Sequence, residues 1–164
     1  RLRADAGRKV GSGRVDELSA EKSRLAFRSL TKRPPIRRGA LAFLKRLARR
    51  HRLALVSSGS RKTVGLFLRK SRSRKVFSIV ITSDHVRRAK PFPDIYLKAL
   101  RTLRLKAHDA VVIEDAVSGV RAARRAKIRV IAVTGTDSAA RLRAAGALAV
   151  CRSLREVEKR VDRL

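Results

Sequence analysis

A chain of 164 residues that is 44% hydrophobic and only 4% aromatic can bury one domain core built from Leu, Val, Ile and Ala, and its composition excludes intrinsic disorder. The lone Cys151 excludes an internal disulfide framework and fits a reducing cytoplasm, and without a CxxC or a Cys/His cluster a structural zinc site is not expected. Lys and Arg number 43 against 13 Asp and Glu, a net charge of +30. That charge would attract polyanions at low salt, but the positives are spread through every segment and no aromatics interleave for base stacking, so nucleic acid is a possible partner that is not favoured.

No apolar run approaches the roughly 18 residues of a membrane span. The opening "RLRADAGRKVGSGR" is charged and lacks the apolar stretch of a signal peptide. The chain begins with Arg and contains no Met, as expected of a piece of a longer protein. Residues 1–35 are polar, with a weak helical pattern from Leu18 to Leu30 that Pro34 and Pro35 interrupt.

Beyond residue 36 the pattern alternates. Gly39–Arg50 predicts a helix with Leu41, Leu44, Leu47 and Ala48 on its apolar face. Leu53–Val56 predicts a strand that runs into the polar Ser57-Ser58-Gly59-Ser60, and Ser60–Ser71 predicts a helix with Val64, Phe67 and Leu68 inward. Phe77–Asp84 predicts a second strand. Pro93 and Asp94 are placed to open a helix, through proline's fixed φ and an acid at the positive helix end. A strand over Ala110–Glu114, a helix over Ser118–Lys127, a strand over Arg129–Thr134, a helix over Asp137–Ala145, a short strand over Ala147–Cys151 and a last helix complete the order. Strand–helix alternation with near-continuous apolar strands predicts a Rossmann-like parallel sheet covered by helices on both faces. Ligand sites in such sheets lie beyond the carboxyl ends of the strands.

Each chemically suggestive residue sits at such an end. Ser57 and Ser58 offer hydroxyls and backbone N–H groups near a helix start, an arrangement suited to an anion or to an ordinary cap. Lys90, on the rigid turn "AKPFPD", could bring a compact positive charge to a phosphate or be one more surface lysine. Glu114 and Asp115 stand together at the tip of a buried strand. A helix cap would explain one acid, whereas two suit Mg²⁺, a hard cation held by a few carboxylates.

These pieces occur in a fixed order, Ser after the first strand, Lys-Pro-x-Pro-Asp before a helix and Glu-Asp-x-x-x-Gly after a later strand. The order resembles the haloacid dehalogenase superfamily, most closely its phosphatase and sugar phosphomutase branch, over about residues 18–164. "VVIEDAVSGVRAARRAKIRVIAVTG" is similar to that family's fourth motif. By this resemblance Asp115 would ligate Mg²⁺ and Glu114 would hold the metal or its water. Ser57 and the Ser58 N–H would grip phosphate oxygens, and Lys90 would neutralise charge between phosphoryl group and carboxylates. The substrate would be a small phosphomonoester. Residues 36–164 would form the core, and residues 1–35 would be the remnant of a helical cap and its linker.

The family's nucleophile motif, Asp-x-Asp-x-Thr/Val at the end of the first strand, is not found. Neither Asp5 nor Asp16 follows an apolar strand or has a second acid two residues on. An incomplete and inactive portion of a Mg²⁺-dependent phosphatase is therefore expected, and the alternative is a non-catalytic basic module that binds polyanions. In the family, the strand bearing the missing motif lies between the strands read here at Leu53–Val56 and Ala110–Ile113. Without it those two strands would close up, leave a gap or accept a strand from another chain, and a marginally stable monomer is expected. Lys127 stands where relatives often carry Gly, and Leu148 and Arg152 where they often carry Asp.

Overall fold

Short apolar runs separated by amphipathic stretches fold into strands and covering helices in the computed structural model, which describes Glu21 and residues 36–164. The expectations for residues 1–35, including Asp5 and Asp16, lie outside the described residues apart from Glu21. The helices are α1 (Ala40–Ala48), α2 (Arg61–Lys70), α3 (Asp94–Leu103), α4 (Val117–Arg125), α5 (Ala139–Ala144) and α6 (Leu154–Val161). The strands are β1 (Ala54–Val56), β2 (Ile79–Ile81), β3 (Val111–Glu114), β4 (Arg129–Val133) and β5 (Ala149–Cys151), and every pairing among them is parallel.

The strands form two sheets, β1-β2 and β3-β4-β5. They share one apolar layer; on the other face Leu55 of β1 and Val80 of β2 pack with Val64, Leu68 and Phe77 beside α2, and the β3-β4-β5 sheet packs in a separate cluster. On one side Val56, Ile79, Ile81, Val112, Val130 and Ala132 belong to a single cluster with α3, α4 and α5. On the other, Leu53, Val111, Ile113, Ile131 and Val133 pack with Phe43 and Leu47 of α1 and with Val157 and Val161 of α6. This is the expected α/β architecture, helices on both faces of parallel strands. Of the three outcomes foreseen for the sheet centre, the described residues show the gap. Among the described residues no strand lies between β1 and β3, and the two do not pair with each other. The consequence shows in burial: Val130–Val133 of β4 are all buried, whereas every residue of β1 and β3 is only partly buried.

Helix α4 lies close on β4 because the residues it turns inward, Gly119, Val120, Ala122 and Ala123, are mostly small. Three helix-rich segments end through residues in the left-handed region that are not glycine: Arg72 (φ 52°), Arg104 (φ 56°) and Lys127 (φ 61°). The sequence had singled out only Lys127.

Several expectations need correction. In α1 the buried face carries Phe43 and Leu47, while Leu44 packs at its edge and Ala48 is exposed. Burying the Phe43 ring removes more apolar surface than burying the Ala48 methyl. In α2 Leu66 is buried as well as Val64 and Leu68, and Phe67 is only partly so. The second strand stops at Ile81, because the Thr82 N–H donates to His85 Nδ1 (2.9 Å) and Ser83–His85 turn into a 3₁₀ segment. Asp84 then accepts the Arg61 N–H (2.6 Å) at the start of α2. Helix α5 starts at Ala139, where Ser138 caps it, and Asp137 is left for another role.

Candidate active site

The carboxyl ends of β1, β3 and β4 open onto one cleft of about 550 Å³. Ser57 and Ser58 reach it from the end of β1, Glu114 and Asp115 from β3, Thr134 and Gly135 from β4, and Lys90 and Arg37 from flanking loops. The parallel order of the strands produces this convergence: Ser57, Glu114 and Thr134, at least 20 residues apart in sequence, meet because each lies at the end of a strand that stops at the same edge. All five residues singled out in the sequence therefore line one cavity.

Glu114 is the most constrained of them. Its Oε1 accepts from Lys90 Nζ and from the Tyr96 hydroxyl (2.7 Å), and its Oε2 accepts the N–H groups of Asp115 (3.1 Å) and Ala116 (3.4 Å). The side chains of Lys90 and Glu114 are only 9% and 10% exposed, so this is a desolvated ion pair. The Lys90 ammonium also lies 5.1 Å from the centre of the Tyr96 ring. Burial, then the neighbouring Glu114 charge, pushes the Tyr96 hydroxyl well above the ordinary phenol range, so it remains a protonated donor. Gly119, in the first turn of α4, leaves room for this carboxylate: a Cβ there would stand 2.1 Å from the Glu114 carboxyl carbon.

Asp115 is held differently. Its Oδ2 accepts the Thr136 hydroxyl (2.7 Å), and its backbone carbonyl accepts the Asp137 N–H (3.0 Å). Gly135 passes close by, since a Cβ on it would lie 3.2 Å from Asp115 Oδ2. Asp137 in turn accepts the Val117 N–H (2.8 Å), capping α4 from twenty residues away, and pairs with Arg141 (2.7 Å). Tyr96, Thr136 and Asp137 were not found by sequence reasoning. Tyr96 sits two residues after Asp94 in the stretch that carries Lys90, and Asp137 was read only as a helix start.

On the β1 side, Ser57 Oγ accepts the Gly59 N–H (3.1 Å) and fixes the turn. The first amides of α2 are already used, Arg61 N–H by Asp84 (2.6 Å) and Thr63 N–H by its cap Ser60 (3.3 Å). The Ser58 N–H, by contrast, has no acceptor among the described residues. The groups of this strand end that face the cleft are those of Ser57 and Ser58.

Among the described residues, no three His, Cys, Asp or Glu side chains are grouped closely enough to enclose a metal by themselves. Both oxygens of Glu114 already accept hydrogen bonds, while Asp115 Oδ1 accepts none among the described groups. Asp115 therefore fits a cation that takes one or two carboxylates and fills its remaining positions with water and substrate oxygens, which is the habit of Mg²⁺.

An α/β core with acids, a lysine and hydroxyls at its strand ends is the class of scaffold used for phosphoryl chemistry. Residues 16–133 match the family described as haloacid dehalogenase-like hydrolase, and the chain belongs to that family. It is 37% identical over 108 residues to the phosphorylated carbohydrates phosphatase of Thermotoga maritima, covering 66% of this chain and 49% of that protein. It is 35% identical over 137 residues to the validoxylamine A 7′-phosphate phosphatase of Streptomyces hygroscopicus, covering 82% of this chain and 63% of the relative. The chain thus spans less than two thirds of the length of either. Among solved structures, CbbY from Rhodobacter sphaeroides in complex with phosphate superposes with a TM-score of 0.71 at 29% identity, over 95% of this chain and 71% of that one. A hydrolase from Pseudomonas syringae shares the fold with a TM-score of 0.84, over 96% of this chain and 75% of that one, at 24% identity. Among the described residues, no helix is long and apolar enough to cross a membrane.

Proposed function

We propose that this chain carries the phosphate-binding and metal-binding half of a Mg²⁺-dependent phosphatase of the haloacid dehalogenase type, acting on small phosphomonoesters. The observation that carries this reading is the meeting of Ser57, Ser58, Lys90, Glu114 and Asp115 on one cleft. Ser57 Oγ and the Ser58 N–H would hold phosphate oxygens. Lys90, fixed by Glu114 and Tyr96, would set positive charge beside the phosphoryl group. Asp115 would ligate Mg²⁺ directly, and Glu114 would contribute by holding Lys90 or a metal-bound water. Bound Mg²⁺ would supply neutralisation of phosphate charge. The named activities of the curated relatives, phosphatases of phosphorylated carbohydrates and related compounds, support this substrate class.

A covalent phosphatase of this kind also needs an attacking carboxylate. Among the described residues the cleft offers Glu114, held by four donors, and Asp115, assigned to the metal. Phosphomonoester hydrolysis is among the slowest uncatalysed reactions, and a phosphate cradle without a nucleophile gains little on it. Turnover of a generic aryl phosphate with Mg²⁺ is expected near background for this chain alone. Robust turnover that Asp115→Asn abolishes would show that a nucleophile is present and that this division of roles is wrong.

A further inference from the structure

A second cavity, of about 350 Å³, lies beside α2 and shares no lining residue with the strand-end cleft. Its wall follows from the spacing of that helix. Arg61, Gly65 and Arg69 stand four residues apart and share one stripe, with Val64 and Leu68 buried on the adjoining one. A glycine inside a helix often marks the close approach of another element. Here a Cβ on Gly65 would meet nothing within 4 Å. The glycine therefore opens a notch between two arginine positions, and Leu68 and Val80 of β2 line its apolar side.

The polar side carries donors that lack acceptors. His85 Nδ1 accepts the Thr82 N–H (2.9 Å), so the ring proton of His85 sits on Nε2. The Arg61 guanidinium stands 3.3 Å from that same Nε2. Two N–H groups thus face one another, an arrangement that an acceptor placed beside both relieves. Arg69 has no partner among the described residues, and Arg74, which donates to the Phe77 carbonyl (3.0 Å), adds a third positive charge. No acid lines the cavity. Asp84, outside the lining, already accepts from the Arg61 N–H (2.6 Å) and the Thr82 hydroxyl (3.0 Å).

We propose that this cavity binds a small organic anion, an aromatic or branched-chain carboxylic acid. The carboxylate would accept from Arg61, Arg69 and His85 Nε2, and the apolar body would lie in the notch over Gly65 against Leu68 and Val80. Guanidinium N–H groups match the two oxygens of a carboxylate, and an apolar body covers a wall that a bare ion would leave wet. The volume falls at the lower end of small-molecule sites, roughly 300–1,000 Å³. This inference rests on α2, β2 and His85, and holds whether or not the phosphatase reading does.

The test is an NMR titration of the isotope-labelled 164-residue chain at constant ionic strength, with sodium benzoate, sodium acetate and benzyl alcohol as probes. Benzoate is expected to shift the amides of Gly65, Arg69, Val80 and His85. Acetate lacks the apolar body and benzyl alcohol the charge, so each is expected to bind there about tenfold or more weakly. Gly65→Leu, which fills the notch, should abolish the benzoate shifts. Arg69→Gln, on the exposed rim where folding is not at stake, should weaken benzoate about tenfold. Arg155→Gln, likewise exposed but on α6, should leave it unchanged. Acetate as effective as benzoate would reduce the site to an arginine-rich surface, and benzyl alcohol as effective would remove the role of charge. Either result overturns the proposal. So would benzoate binding that survives Gly65→Leu, equal losses in Arg69→Gln and Arg155→Gln, shifts centred on Ser57 and Lys90, or no shifts at all.

Discussion

The Glu114 carboxylate occupies the space that a side chain on Gly119 would need, with the position of a Gly119 Cβ only 2.1 Å from its carboxyl carbon. The glycine in the Glu-Asp-x-x-x-Gly spacing therefore serves the acid five residues before it. Gly119→Ala should destabilise the fold by about 1–3 kcal/mol, the usual cost of overpacking a tight site. The cost should shrink markedly in a Glu114→Ala background. Urea denaturation of the two single variants and the double variant checks this, and additive losses would show that the two residues do not compete for the same space.

Lys90 and Glu114 should behave as a coupled pair. Removing one member of a desolvated pair leaves the other charge buried, at a cost of about 3–5 kcal/mol. Lys90→Met is expected near the lower end, because Tyr96 and two backbone N–H groups still hold Glu114. Lys90→Met combined with Glu114→Gln should recover most of the loss. A double variant no more stable than Lys90→Met would mean that the ion pair is not what Lys90 supports.

The left-handed residues Arg72, Arg104 and Lys127 each hold a backbone conformation that glycine adopts without a Cβ penalty. Replacing each by Gly should stabilise the protein by about 0.5–1 kcal/mol, nearly additively, since the three lie at separate turns. Arg49, which ends α1 at φ −73°, should show no gain as Arg49→Gly. Thermal or urea midpoints of the four variants decide the matter, and equal effects at Arg49 and Lys127 would contradict the backbone argument.

Acid should weaken the contact between Asp84 and α2. The Arg61 N–H, with the Thr82 hydroxyl and the Arg61 charge adding to it, holds the Asp84 carboxyl below its ordinary value of 3.8. A depressed folded pKa gives stability that is present above the unfolded value and lost as pH falls through the folded one. The difference in melting temperature between wild type and Asp84→Asn should therefore be largest above about pH 5 and should close as pH falls toward 2. A difference that widens in acid would reverse the sign of this account.

Much of this architecture is legible in the residues themselves. The strand ends follow from apolar runs and turn chemistry, which act locally, whereas the meaning of the order of Ser57, Lys90 and Glu114-Asp115, and that of Lys127, came from resemblance to a family. What was not legible depends on how elements approach one another. Periodicity gives α1 an apolar face but not its rotation, which placed Phe43 in the core and Ala48 outside it. Asp137 caps a helix twenty residues before it, and Tyr96 donates to an acid eighteen residues after it. Neither contact exists until the strands have brought the loops together. That β1 and β3 stay apart among the described residues, where they could have closed up, depends on how the helices pack on the sheet faces and is not written in either strand.

The central claim is that Ser57, Ser58, Lys90 and Asp115 form one phosphate and Mg²⁺ site. An NMR titration of the isotope-labelled chain, first with Mg²⁺ and then with inorganic phosphate, tests it most directly. The account predicts that the largest Mg²⁺-dependent shifts fall at Asp115 and its neighbours Glu114 and Thr136, are lost in Asp115→Asn, and are followed by phosphate-dependent shifts at Ser57, Ser58 and Lys90. Shifts scattered over the arginine-rich surface, or centred away from these residues, would contradict it.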